Sequence, residues 1–370
     1  MTDKNKHIDT RRLKRLLQRM IDSYSPSGKE EAILEYLFGF LKRQGLPVQR
    51  QRVDDNRYNL VVIPAEVEPE LVFMGHLDTV VAYELTLSGY TIKGDVITGL
   101  GSADMKGGCA AMIEAYLAGW RATSGHLPVA LALVVGEEED GDGAEQFASE
   151  YNIPWVIIGE PTDLQPCFGS YGYLEVQLVS TGRRIHASLA NQEESAVHAL
   201  LHLVTKIIQH LEINRPELVV NVRDLLSSRA GFAAPERCEA WLDIHVPPSI
   251  QLETIVAELD ELAAPSETNN DNLKTAIRFS NIYSGYSLTD SAPIAKTLKE
   301  IFTLHSLDWK PELFRSHSDA NLLWNSGLRP ILLGPGQLEQ SHTPAESISF
   351  SQVRHAAEIY LALLMGIITG

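Results

Sequence analysis

The chain has 370 residues, enough for two ordinary cores, and its 44% hydrophobic and 21% charged residues exclude a disordered or fibrous protein. Lys plus Arg number 31 against 48 Asp plus Glu, a formal charge of −17 that disfavours nucleic acid and anionic membrane, because phosphate binding needs clustered cations. No run of 18 apolar residues offers a membrane span, no signal-peptide core follows the polar start from Met1 to Arg12, and the 3 cysteines, Cys109, Cys167 and Cys238, are too scattered for a disulfide framework. A cytoplasmic protein is expected.

Along the chain, Leu13, Leu16, Leu17, Met20, Ile21 and Tyr24 recur at helical spacing and predict a first helix. A Ser-Pro-Ser-Gly break follows, with Ser27 and Glu30 read as a capping box opening a helix through Leu41. Asn59 to Pro64 and Glu70 to Gly75 are short apolar runs that read as buried strands. Gly107 to Arg121 reads as a helix, Val129 to Val135 and Trp155 to Gly159 as strands, with a helix from Gly143 to Glu150 between them. Strands alternating with helices predict an α/β domain with a largely parallel sheet. Near Tyr173 the texture changes. Leu174 to Ser180 alternates apolar and polar residues, a helix is expected from Glu194 to Leu211, and strands over Leu218 to Val222 and Ala240 to Val246. A helix from Leu252 to Ala263 and a strand from Leu273 to Phe279 complete a small ferredoxin-like α+β domain. From Gly285 the α/β pattern resumes, with helices Ala292 to Leu304 and Ser351 to Met365 around a strand, Pro330 to Gly334. The expected division is 1–173 and 285–370 for the larger domain, with 174–284 inserted into it.

Five segments place acids and histidines where strands are predicted to end. They contain His76 and Asp78, Asp104 in a glycine-rich stretch, Glu137 to Glu139, Glu160, and His342. Histidine with carboxylate suits zinc and similar divalent ions. Asp78 can orient a ligating His76 by accepting its other ring N–H. So many carboxylates are costly to gather without a cation, since like charges raise one another's pKa.

These five segments, in their order and spacing from about Tyr24 onward, resemble a known family: the zinc aminoacylases, acetylornithine deacetylases, succinyl-diaminopimelate desuccinylases and glutamate carboxypeptidases. The resemblance implies two Zn2+ per chain, with Co2+ or Mn2+ as possible substitutes. It implies His76, Asp104, Glu138, Glu160 and His342 as ligands, Asp104 bridging the two ions and followed by a cis peptide. Asp78 would stand behind His76, and Glu137 would be the general base of amide hydrolysis. The base and its neighbouring ligand are Glu137 with Glu138 or, with an indel, Glu138 with Glu139. In the stretch Gly-Arg-Arg-Ile-His-Ala-Ser, over 182–188, the resemblance makes His186 an oxyanion-stabilising residue working across a homodimer. It also places Arg315, Ser318 and Asp319 near substrate.

Two departures bear on the substrate. Where relatives carry Asn-Val-x-Pro this chain reads Phe-Ala-Ala-Pro over 232–235, and their Asp-x-Arg is Asp-Ile-His over 243–245. The Ser-Pro-Ser-Gly start resembles hydrolases that release lysine or ornithine from an amino-group carrier protein. An acyl-amino acid deacylase, a di- or tripeptidase, a carboxypeptidase and a carrier-protein hydrolase therefore stay open, with a non-catalytic binding protein as a further alternative. His198 and His202, spaced i, i+4, are expected on a solvated face opposite Val197, Leu201, Val204 and Ile208. The Ser318–Asp319 pair lacks a Gly-x-Ser-x-Gly elbow, so a serine triad is not expected.

Overall fold

The computed structural model describes residues 7–65, 67–85, 89–190, 195–264, 273–289 and 291–369. The expected helix start at Glu194 lies outside them. The chain divides into two compact units. One takes in the residues up to Gly169 with Ser287–Phe314 and the chain from Ser318 onward, and the other Ser170–Tyr286 with Arg315–His317.

Among the described residues, the first unit is built on a 9-stranded mixed sheet. Leu71–His76 lies between Val129–Val134 and Trp155–Ile158 and runs parallel to both, and Arg329–Leu332 runs parallel to Trp155–Ile158. Every residue of Leu71–His76 and of Val129–Val134 is buried, as strands covered on both faces must be. The outer strands are antiparallel: Tyr58–Val62 and Gln49–Arg52 on one side, Cys167–Ser170 on the other. Helix Gly107–Ala122, buried from Gly107 to Gly119, packs against the terminal helix Phe350–Thr369, whose Tyr360 ring lies 5.4 Å from that of Phe73. A separate three-stranded sheet joins Ser347–Ser349 to Val96–Thr98 and Thr91–Lys93.

In the second unit the antiparallel strands are ordered Val219–Ser227, Arg237–Val246, Gly172–Thr181, Lys274–Tyr283. Helices Ala196–Asn214 and Leu252–Ala263 connect them, which is the ferredoxin-like order. Alternate residues of Arg237–Val246 are buried, giving one apolar face that packs with Leu200, Ile207, Ile255 and Leu259 of the helices. The Tyr173 and His317 rings stack with centroids 4.1 Å apart.

Three readings need correction. Ser27 does not cap a helix: Glu31–Arg43 begins after Glu30 with no side-chain cap bond, because the Ser27 hydroxyl is turned to Asp78 instead. The inserted helix buries Leu200, Leu203, Val204 and Ile207, while Leu201 is 42% exposed; the stripe is rotated by about one residue, though His198 and His202 are exposed as expected. Short strands went unread, such as Gln49–Arg52, whose Gln-Arg-Gln-Arg sequence buries one residue and carries no apolar alternation.

Candidate metal centre

The parallel strands of the first unit deliver side chains at their C-terminal ends, as open α/β sheets do. His76 ends Leu71–His76, Glu137 and Glu138 follow Val129–Val134, and Glu160 follows Trp155–Ile158. Asp104 and His342 come from loops. The five expected ligands and Glu137 converge into three overlapping groups of donors, each with its atoms within 4.8 Å of one another: His76, Asp104 and Glu160; His76, Glu137 and Glu138; Asp104, Glu138 and His342. Glu139 is exposed and in none of them.

His76, Asp104 and Glu138 each belong to two of these groups, and Asp104 is the member common to the group with Glu160 and the group with His342. Its Oδ1 lies 3.3 Å from His76 Nε2 and its Oδ2 3.5 Å from His342 Nε2. The following peptide, Asp104–Met105, is cis. His76 Nε2 also faces Glu137 Oε2 at 3.7 Å and Glu160 Oε1 at 3.8 Å, and His342 Nε2 is 2.9 Å from Glu138 Oε2. His76 is 1% exposed, whereas the His342 side chain is 54% exposed, so the cluster runs from interior to surface. Beside His342 lies a cavity of about 270 Å³ lined by Val80, Tyr83, Leu100 and Pro344.

Behind the donors stands Asp78, fully buried. His76 Nδ1 is nearer the Asp78 carbonyl oxygen, at 3.1 Å, than its carboxylate, at 3.6 Å. That carboxylate accepts from Ser27 Oγ at 2.7 Å and from the amides of Glu137 and Glu138 at 3.2 and 3.0 Å. Asp78 therefore fixes the acidic loop as well as the histidine, a second role the sequence did not reveal. Ser27 was missed because Ser-Pro-Ser-Gly followed by Glu30 is also a helix-start signal.

The electrostatics test whether a cation fits. Burial raises the carboxyl groups of Glu137 and Glu160 well above the usual range, and neighbouring carboxylates add to it. Glu138 is raised by burial too, against the opposing pull of His342. Burial pulls His76 down, but Glu137, Asp104, Asp78 and Glu160 outweigh it and raise it well above the ordinary imidazole value. Glu160 Oε1 is buried with no hydrogen-bond partner among the described residues. An orphaned carboxylate oxygen among like charges is unfavourable alone and is what divalent cations relieve. Imidazole and carboxylate donors suit zinc and its neighbours. The site fits metal.

Of the remaining expected site residues, Asp319 lies near enough for its charge to raise Glu137 and to feel His76 and Asp78, whereas no described contact brings Arg315, Ser318 or His186 to the donors. Ser318 caps helix Asp319–Asn325, its hydroxyl accepting from the Ala320 amide at 3.2 Å. Asp319 is 2% exposed, and burial pushes its carboxyl up to about 8. Arg315 and His186 are exposed residues of the second unit, and His186 Nδ1 lies 2.8 Å from Ser188 Oγ.

Fold and site together define a metal-dependent hydrolase. Residues 72–366 match peptidase family M20/M25/M40, and the chain belongs to that family. It is 27% identical over 379 residues to the acetylornithine deacetylase of Aliivibrio salmonicida, covering 95% of this chain and 97% of that one. Among solved structures, a tripeptidase from Staphylococcus aureus superposes with a TM-score of 0.79 at 20% identity, covering 98% of this chain and 100% of the other. A Bacillus subtilis protein described as a dinuclear metal-binding peptidase superposes with a TM-score of 0.66 at 11% identity, over 99% of each chain.

Proposed function

We propose that this chain is a dinuclear zinc hydrolase that cleaves the amide of an N-acyl amino acid, in the manner of an acetylornithine deacetylase. The observation that carries the reading is the two-faced placement of Asp104, one oxygen towards His76 and the other towards His342, in donor groups completed by Glu160 and by Glu138. His76, Asp104 and Glu160 would hold one ion, and Asp104, Glu138 and His342 the other. Divalent cations supply acidified water and a polarised amide carbonyl.

Glu137 acts as general base. Burial raises its proton affinity well above that of an ordinary carboxylate, and a raised carboxyl is the better base for taking and returning a proton. Its Oε2 accepts the proton of the attacking water and delivers it to the departing amine. Asp78 holds the Glu137 and Glu138 amides, so base and neighbouring donor move as one. The near full-length match to an acetylornithine deacetylase supports an acyl amino acid as substrate. The second unit serves as a dimerisation domain in this reading, supported by Phe232 at 90% and Leu226 at 59% exposure, with His186 of a second copy as oxyanion donor. A cytoplasmic homodimer is the form expected to act.

The test is hydrolysis of Nα-acetyl-L-ornithine, other N-acetyl amino acids, dipeptides and tripeptides before and after chelation. Metal-dependent cleavage of acetyl amino acids above peptides is expected. Preference for peptides would make the chain a di- or tripeptidase or carboxypeptidase. Bound metal without any hydrolysis would leave a binding protein.

A further inference from the structure

We propose that Glu346 is a positioning residue that holds Asp104 and His342 in register with each other. The proposal rests on the reading of those two residues as metal ligands. Glu346 is 2% exposed, and its carboxylate is spent on the backbone of the Asp104 loop. Oε2 accepts from the Gly101 amide at 2.8 Å, and Oε1 from the amides of Ala103 at 2.8 Å and Asp104 at 3.0 Å. These partners lie 242 to 245 residues away in sequence. Amides gathered in a turn form a concavity that favours an anion, and charge-assisted bonds in a buried setting are the strong ones. Gly101 adopts φ +77 to make this turn, and a Cβ there would lie 2.7 Å from Thr79 Cγ2.

The same residue is tied to His342 by a short, closed loop. The Glu346 amide donates to the Thr343 carbonyl at 3.2 Å, and Thr343 Oγ1 donates to the Gln340 carbonyl at 2.8 Å. His342 sits inside this loop with φ 58, a left-handed conformation uncommon for a residue with a side chain and held here within the closed turn. Glu346 thus fixes the backbone of Asp104 through its carboxylate and the loop of His342 through its own backbone amide, and the Asp104 and His342 side chains meet at 3.5 Å. The adjacent pairing of Ser347–Ser349 with Val96–Thr98 joins the same segments independently. Loss of the Glu346 carboxylate therefore disturbs the donors more than the fold.

The experiment compares full-length wild type, Glu346→Gln, Glu346→Asp and Glu339→Gln, an exposed glutamate of the same region. Each metal-free protein is titrated with Co2+, followed by its visible absorption, alongside thermal unfolding and kcat and KM at saturating metal. Gln keeps the shape but turns an N–H towards an amide donor. The expected result is a Glu346→Gln protein whose weaker Co2+ site loses about 10–100-fold in affinity, the range for residues that orient metal ligands. Its kcat falls while KM stays near wild type, the unfolding temperature drops modestly as buried amides lose a charged acceptor, Glu346→Asp is intermediate, and Glu339→Gln is unchanged. Wild-type Co2+ affinity in Glu346→Gln overturns the proposal, including when the unfolding temperature falls. If Glu346→Gln does not fold, Glu346→Asp decides by the same comparison. A wild type that binds Co2+ yet hydrolyses no acyl amino acid sinks the proposed activity alone, since the affinity comparison still decides on Glu346. A wild type that binds no Co2+ overturns both.

Discussion

Replacing Gly108 by alanine tests how closely the donors' backbones are packed. Gly108 lies in the first turn of Gly107–Ala122, four residues after Asp104, and Gly159 immediately precedes Glu160. A Cβ on Gly108 would stand 2.1 Å from the Gly159 carbonyl oxygen and 2.9 Å from its carbon. Neither is a flexible side-chain end, so the helix must withdraw by about 0.9 Å to restore a 3.0 Å contact. Gly334 bars relief from the other side, since its own Cβ position is 2.2 Å from the same oxygen. Overpacking of this kind costs about 1–3 kcal/mol, and at about 2–4 °C per kcal/mol the unfolding temperature should drop by roughly 2–12 °C. The movement also separates Asp104 from Glu160, and a displacement near 1 Å at a reacting centre costs on the order of 100-fold in rate. Calorimetry and kcat/KM for the best substrate are the assays. Gly39→Ala is the control, because its Cβ meets only the end of the Arg43 side chain at 3.1 Å, and it should gain up to about 1 kcal/mol from helix propensity. A Gly108→Ala protein with wild-type melting and wild-type kcat/KM would refute the reasoning.

Glu137→Gln should lower kcat by about 10²–10⁴-fold while metal content stays at the wild-type level; loss of metal instead would make Glu137 a ligand. Ser27→Ala removes the 2.7 Å bond to Asp78 and should reduce kcat with little change in KM, whereas an unchanged kcat would show that the two amides suffice to hold Asp78. Arg12→Met leaves the fully buried Glu114 carboxylate without its guanidinium, now bonded at 2.6 and 2.7 Å, and should destabilise by about 3–5 kcal/mol. Burial raises the Glu114 pKa even with Arg12 present, so its penalty is absent below the unfolded-state value of 4.5 and grows as pH rises above it. The gap between Arg12→Met and wild type in urea unfolding should therefore be wider at pH 8 than at pH 5, and a gap that narrows on raising the pH would contradict this.

The apolar runs made the central strands legible, because a short run bounded by charged or small residues, such as Val129–Val134, fits a strand buried on both faces. His76, Glu137, Glu138 and Glu160 were legible for a related reason, since each ends or follows such a run, whereas Asp104 and His342 lie on loops and were singled out as ligands only through the family resemblance. Gln49–Arg52 was not, since an edge strand burying one glutamine looks like any polar loop. Ser27 was misread because a hydroxyl before a helix serves as cap or as distant donor with the same local sequence, and only the fold brings Asp78 to it. Glu346 was in view beside His342, but its task is to bind amides more than 240 residues away, and local spacing carries no trace of that.

The central claim is that the overlapping donor groups hold two ions sharing Asp104. Its most direct test is the metal content of purified full-length protein, measured by elemental mass spectrometry for wild type, Glu160→Ala and His342→Ala. About two zinc ions per chain in the wild type, each variant losing about one, is the result expected for a two-metal site. A wild type without metal after reconstitution with zinc, or variants that keep the full complement, would contradict it.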